Sequence, residues 1–341
     1  MFDLPPVSHE LDDAIRRAID SKTKPLGALG MVETLAAQIA RIQGTLSPRL
    51  ERCRLTLFAG DHGIASEGVS AFPPAVTRQM VENFLAGGAA ANVFARTNGA
   101  DLRVVDAGVA GDRMDTPGLV SRRIADGTRN CAVEPAMTAA QCDAALGAGD
   151  ALGGDDAPDA AAFGEMGIAN TSAAALIAHK LTGIGLDVLV GRGTGLDDDG
   201  LAHKQAVLAR AAARTAARLD AHAALREYGG FEIVMMAGAM IGAARAGAIV
   251  LVDGFIASSA ALAAIGLAPA LRDYLVFAHR SAEQGHRMVL EALDARPLLE
   301  FDMRLGEGTG ALLAWPVLKC AAAMLCEMAS FEGAGVSGPS A

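Results

Sequence analysis

At 341 residues the chain is long enough for one large α/β unit plus a small accessory region. Its formal net charge of -10 at neutral pH excludes an electrostatic nucleic-acid binder, so an anionic ligand would need a local positive site inside an acidic envelope. Hydrophobic residues make up 52% but aromatics only 4%, which predicts a core of Ala, Val, Leu, Ile and Met with helices packed closely on a sheet.

The start, MFDLPPVSHELDDAIRRA, is acidic and amphipathic, unlike a secretory leader. The five cysteines (Cys53, Cys131, Cys142, Cys320 and Cys326) form no CxxC pair, and a reducing cytoplasm is the expected setting. Short apolar runs then read as buried parallel strands, each stopped by glycine or small polar residues. The first, Leu55 to Ala59, runs into Gly60-Asp61-His62-Gly63. That Asp-His pair lacks the further ligands a catalytic metal needs, and we read it as shaping a loop, with His62 hydrogen-bonded nearby. The segment Ser70 to Met80 mixes small polar groups with Phe72 and Met80. It can wall a flat aromatic base or simply pack under the fold.

A second strand, Leu102 to Asp106, ends at Ala107-Gly108. The stretch Gly147 to Ala161, rich in Gly, Asp and Ala, reads as a solvated loop. Beyond it, Gly164-Glu165-Met166-Gly167-Ile168-Ala169-Asn170-Thr171-Ser172 precedes a helical run from Ala173 to Leu181. Asn170 or Thr171 can cap that helix, and its first-turn amides would suit an anion. The alternative is an ordinary capped helix start. Leu186 to Val190 reads as a strand entering Gly191-Arg192-Gly193-Thr194-Gly195, with Lys204 downstream and a helix from Gln205 to Arg218. Glycines there let backbone amides approach a phosphate that Arg192 or Lys204 neutralises, or they form a plain tight turn with Arg192 in a structural ion pair.

Ile249 to Val252 and Leu275 to Phe277 complete the predicted strands. Between them, uncharged Gly254 to Leu271 has the length of a membrane span, but its Ala, Ser, Gly and Pro269 predict a buried helix of an α/β protein. His279 and His286 read as structural, at an interface, and no histidine here forms an HxxxH or HExxH pair. Leu305-Gly306-Glu307-Gly308-Thr309-Gly310 sets one carboxylate between glycines before the apolar run Ala311 to Met324. In a cavity Glu307 would gain a raised pKa suited to accepting a proton; on the surface it would be an ordinary turn residue. The tail from Gly333 onward reads as disordered, and no repeat of fixed period occurs. Strands alternating with helices predict a parallel sheet, with its ligand pocket at the carboxyl ends of the strands.

In order along the chain, KPLGALG, AGDHGIASEGVSAFPPAVTRQMVENFLAGGAAANVFA, GEMGIANTSAAALIA, GRGTGLDDDGLAHK, GGFEIVMMAGAMIGAA, VDGFIASSAALAA, AHRSAEQGH and RLGEGTGALLA stand as landmarks. Together, from about Ser21 to Phe331, they resemble the nicotinate-nucleotide–dimethylbenzimidazole phosphoribosyltransferases, the CobT family. The resemblance implies a three-layer α/β/α, Rossmann-like fold with a mainly parallel sheet, from residues 51–310. A small helical domain would come from residues 1–50 and about 311–341. It implies a cytoplasmic homodimer that uses no metal or cofactor and spans no membrane. The substrates would be nicotinate mononucleotide and dimethylbenzimidazole. Glu307 would be the general base. Glu165, Gly167, Ile168, Asn170, Gly193, Thr194, Gly195 and Lys204 would hold the nucleotide's phosphate and ribose. Ser70, Gln79, Leu305 and Ser281 would line the base pocket, Ser281 reaching a neighbouring site across the dimer. One departure from the family is Ala169, where glycine is usual.

Two rivals make different demands on the sequence. A nicotinamide-dinucleotide dehydrogenase needs GxGxxG after its first strand, where this chain has GDHGIAS. A non-catalytic nucleotide-binding protein would have no need of the carboxylate in GEGTG, which is present as Glu307.

Overall fold

The computed structural model describes residues 2–193 and 195–337. Strands β1 (Cys53–Gly60), β2 (Asp101–Gly108), β3 (Leu119–Ser121), β4 (Ala160–Met166), β5 (Ile249–Val252) and β6 (Leu275–Phe277) form one sheet in the order β3-β2-β1-β4-β5-β6. Every pairing is parallel. Side chains along each strand alternate between two apolar cores. Leu55, Leu57, Ala160, Ala162, Ile249 and Leu251 enter one core, while Phe58, Ala161, Phe163, Val250 and Val252 enter the other.

The helices are α1 (Asp12–Asp20), α2 (Met31–Gln43), α3 (Ala75–Ala86), α4 (Ala90–Asn98), α5 (Ala139–Gly154), α6 (Asn170–Thr182) and α7 (Leu186–Leu189). They continue with α8 (Asp198–Ala212), α9 (Ala221–Tyr228), α10 (Phe231–Arg245), α11 (Phe255–Leu267), α12 (His286–Ala292), α13 (Thr309–Glu327) and α14 (Phe331–Ala334). Buried residues of α1, α2, α4 and α13 share the core on one face of the sheet, and those of α5, α6 and α8 to α12 share the other, giving the three layers expected. The N-terminal helices meet the C-terminal segment directly, through the amide of Thr23 on the Ala329 carbonyl and that of Phe331 on Ser21.

Three local expectations are corrected. Gly147 to Gly154 is the second half of α5, not a loop, and Ala160-Ala161 opens β4. The glycines are there for contact: a Cβ on Gly149 would lie 1.9 Å from the Met235 carbonyl oxygen of α10, and one on Gly153 would lie 2.1 Å from that of Ala239. Leu186 to Val190 is not a strand, since its first four residues form the short helix α7; only Leu189 and Val190 are buried, and β5 takes the place beside β4. At the tail, Gly333 and Ala334 are helical, and Ser330 caps α14 by accepting from the Gly333 amide.

Gly254 to Leu271 is the buried α11 followed by the start of a short 3-10 helix, Pro269–Tyr274, as its composition predicts. Among the described residues α13 is the one helix long and apolar enough to cross a membrane. It packs against α2 and α4, with Trp315 and Leu318 fully buried.

Candidate active site

The carboxyl ends of β4, β5 and β6 converge under a cavity of about 430 Å³, a volume suited to a small organic ligand. Glu165 comes from the end of β4, Asp253 follows β5, and His279 lies just beyond β6. All three are buried and line the cavity. Burial, then the charges of Asp253 and Glu232, hold the Glu165 carboxyl well above its ordinary pKa. Asn170 donates its side-chain amide to Oε2 of Glu165.

Glu307 sits in the turn entering α13, where Gly306, Glu307 and Gly308 have φ of 82°, 61° and 79°. The flanking glycines are required by both conformation and space. A Cβ on Gly306 would lie 2.2 Å from Oε1 of Glu165, and one on Gly308 would lie 2.4 Å from Leu55. A non-glycine residue in the left-handed region is strained, and here the strain is held at a cavity wall. Asp253 fixes the turn by accepting from the Gly308 amide at 3.2 Å and the Ala311 amide at 2.9 Å. The Glu307 side chain is buried, and its Oε2 has no hydrogen-bond partner among the described residues. Burial raises its pKa; the Ala91 backbone amide opposes that rise, and the Asp253 charge adds to it. The result is a carboxylate poised to take a proton from whatever enters the cavity.

Gly167, Ile168, Asn170 and Thr171 also line the cavity, with Thr171 close to Gly193. Neither Asn170 nor Thr171 caps α6, contrary to expectation. The cap position is Ala169, at φ 76°, without a side-chain cap. Asn170 is engaged by Glu165, and Thr171 Oγ1 accepts from Lys204 Nζ at 2.9 Å. Lys204 is almost wholly buried, with Nζ also 3.3 Å from the Gly191 carbonyl oxygen, and burial lowers its pKa to about 8. It therefore stands behind the glycine loop and does not form the cavity wall. Arg192 pairs with Asp198 and donates to the Leu196 carbonyl, so it is the structural ion-pair residue.

Of the residues expected from sequence, Glu165, Gly167, Ile168, Asn170, Gly193, Ser281, Leu305 and Glu307 line this cavity together. Ser70, Gln79, Gly195 and Lys204 do not, and Thr194 lies outside the described residues. Phe72, Val76 and Met80, from the segment that carries Ser70 and Gln79, do form part of the wall. His62 is buried 2.6 Å from Glu232 Oε1. Burial opposes its charging, but Glu232, by charge and hydrogen bond, and Asp61 outweigh that and raise its pKa. His286 accepts from the Ser281 amide at Nδ1 and meets Ser258 Oγ at Nε2, and burial brings its pKa down to about 3. A structural reading suits both histidines. Sequence reasoning passed over Asp253, His279, Glu283 and Arg304 as site residues. For Asp253 and His279 the signal was available, since Asp253 directly follows β5 and His279 comes two residues after β6.

A buried carboxylate beside a glycine-walled pocket, at the carboxyl edge of a parallel sheet, is the site of an α/β enzyme acting on a small molecule. A phosphoribosyltransferase family model matches residues 4–336, and the chain belongs to that family. It is 56% identical over 341 residues, 98% of each chain, to the nicotinate-nucleotide–dimethylbenzimidazole phosphoribosyltransferase of Cupriavidus taiwanensis. The enzyme of that name from Dechloromonas aromatica is 55% identical, with 96% of each chain covered. Among solved structures, CobT from Thermus thermophilus superposes with a TM-score of 0.93 at 45% identity, covering 96% of this chain and 99% of that one.

Proposed function

We propose that the protein transfers the ribose 5-phosphate of nicotinate mononucleotide to 5,6-dimethylbenzimidazole, releasing nicotinate, as a step in building the lower ligand of cobalamin. The observation that carries this reading is the buried Glu307, whose Oε2 has no hydrogen-bond partner among the described residues, in the lining of a cavity of about 430 Å³. The names of relatives at 55–57% identity support the same pair of substrates.

In this reading one ring nitrogen of the base attacks the anomeric carbon from the face opposite nicotinate. The C–N bond to nicotinate breaks, its electron pair returns to the pyridinium nitrogen, and the configuration inverts to α-ribazole 5′-phosphate. Glu307 takes the proton from the other ring nitrogen, a transfer typically contributing about 10²–10⁴-fold in rate. Holding both reactants in line would add more, up to about 7–11 kcal/mol. Gly167, Ile168, Asn170, Gly193, Thr194 and Gly195, with Glu165, would hold phosphate and ribose, and Lys204 would add its charge from behind the glycine loop. Leu305 and Ser281 would contact the base; Ser70 and Gln79 would have to turn inward with the Phe72 segment.

The same reading makes the protein a cytoplasmic homodimer with a small helical domain built from residues 1–50 and 311–341. Exposed Phe72 and Leu305 at the cavity favour further covering of that face. The test is to incubate purified protein with nicotinate mononucleotide and dimethylbenzimidazole and determine the anomeric configuration of the product by NMR. The α-riboside phosphate is expected; a β-riboside, or no product, contradicts the reading.

A further inference from the structure

Among the described residues, Arg304 is the only lysine or arginine in the cavity lining, where the other charged groups are Glu165, Asp253, Glu283 and Glu307. Its Nη1 donates to the Gly193 carbonyl oxygen at 3.3 Å, spanning from the turn that carries Glu307 to the glycine loop. Arg304 is exposed and has no ion-pair partner among the described residues. Gly193 is also the residue against which the second cation rests: a Cβ there would lie 3.3 Å from Lys204 Nζ and 3.2 Å from Thr171 Oγ1. Glu283 feels both cations, which oppose the rise in its pKa caused by burial.

A guanidinium held by one neutral carbonyl at 3.3 Å can exchange that bond for a stronger charge-assisted pair with an anion. Lys204 cannot do so without leaving its buried contacts with Thr171 and Gly191. We propose that Arg304 binds the substrate's 5′-phosphate at the cavity mouth, opposite Lys204, and thereby ties the Gly306–Gly308 turn to the phosphate. Arg304 precedes Glu307 by three residues, so the contact that recognises the nucleotide also steadies the group that accepts the proton. Arg304 is thus a specificity residue for the phosphorylated substrate and a positioning residue for Glu307.

This proposal rests on the phosphoribosyl-transfer reading, and the test separates the two. Wild type, Arg304→Ala and Arg304→Lys are assayed with dimethylbenzimidazole and either nicotinate mononucleotide or nicotinate riboside, which lacks the phosphate. If wild type fails with the mononucleotide, the transfer reading itself fails. If Arg304 acts as proposed, Arg304→Ala lowers kcat/KM for the mononucleotide by about 10- to 100-fold, the usual range for a charged hydrogen bond, while the riboside value stays within about threefold. Arg304→Lys recovers part of the loss. Because both substrates meet the same variant, a folding defect lowers both values together and cancels from their ratio. Equal losses with the two substrates, or no loss with the mononucleotide, overturn the proposal.

Discussion

The backbone amide of Glu307 lies 3.4 Å from Oε1 of Glu165, so the proposed base is tethered to a second buried carboxyl. That tether links the end of β4 to the turn before α13. It also accounts for two glycines: Gly306 leaves room for Glu165, and Gly164 leaves room for the Glu307 carbonyl, which a Cβ would approach to 2.5 Å.

Glu165 should leave its mark on stability against pH. Burial, reinforced by Asp253 and Glu232, places its folded-state pKa above the ordinary 4.5 of the unfolded chain. The fold therefore keeps a proton that the unfolded chain releases. This stabilisation is complete below the unfolded pKa and is lost as pH rises through the folded one. Glu165→Gln removes the titration but can still accept from the Glu307 amide. Urea midpoints between about pH 5 and pH 8 should fall less steeply in the variant than in wild type. Parallel curves would mean that Glu165 is ionised in the fold.

Asp253 holds two main-chain amides at the start of α13, and its loss leaves them without that acceptor. Asp253→Ala should lower stability by about 1–3 kcal/mol and reduce kcat through the displaced Glu307 turn. Asp253→Asn keeps one acceptor oxygen and should lose less of both. Thermal denaturation alongside steady-state kinetics checks this; an Ala variant with unchanged kcat would detach Asp253 from the site.

Lys204 should affect the nucleotide far more than the base. With its pKa near 8, its charge is present below that pH and lost above it. Expected is a fall in kcat/KM for nicotinate mononucleotide above about pH 8, without a matching change in KM for dimethylbenzimidazole. Lys204→Ala should raise the nucleotide KM and abolish that limb. Equal effects on both substrates would count against a phosphate role.

Ala169 occupies a left-handed position, which is why a glycine there suits the fold. Ala169→Gly relieves about 1–2 kcal/mol of strain and loses about 0.5–1 kcal/mol to the greater freedom of the unfolded chain. The melting temperature should rise, by up to about 3 °C. A lowered value would show that the Ala169 methyl contributes more by packing than it costs in strain.

Much of this architecture was legible in the sequence because β5 and β6 are short continuous apolar runs and β1 is a mostly apolar one, each stopped within two residues by Gly, Asp or His. β4 was hidden because its run Ala160-Ala161-Ala162 carries little strand signal; farther along it, Gly164 leaves room for the close approach of the Glu307 turn. The second half of α5 was misread for a similar reason, its glycines marking a helix crossing instead of a loop. At the site, Glu307 stood out through its flanking glycines, and Glu165 through its family motif. Asp253 and Arg304 act through contacts distant in sequence, with Gly308 and Ala311 for one and Gly193 for the other, which no local pattern displays.

The most direct test of the central claim is the turnover of Glu307→Gln. The substitution preserves size and one acceptor oxygen in the turn but removes the capacity to take the benzimidazole proton. The account predicts a fall in kcat of about 10²-fold or more, with nicotinate mononucleotide affinity nearly unchanged. In wild type, kcat should also rise with pH along a limb set above the ordinary glutamate value of 4.5, because burial raises the Glu307 pKa and only the ionised form accepts a proton. Near-normal turnover of Glu307→Gln would contradict the account and pass the role of base to another group.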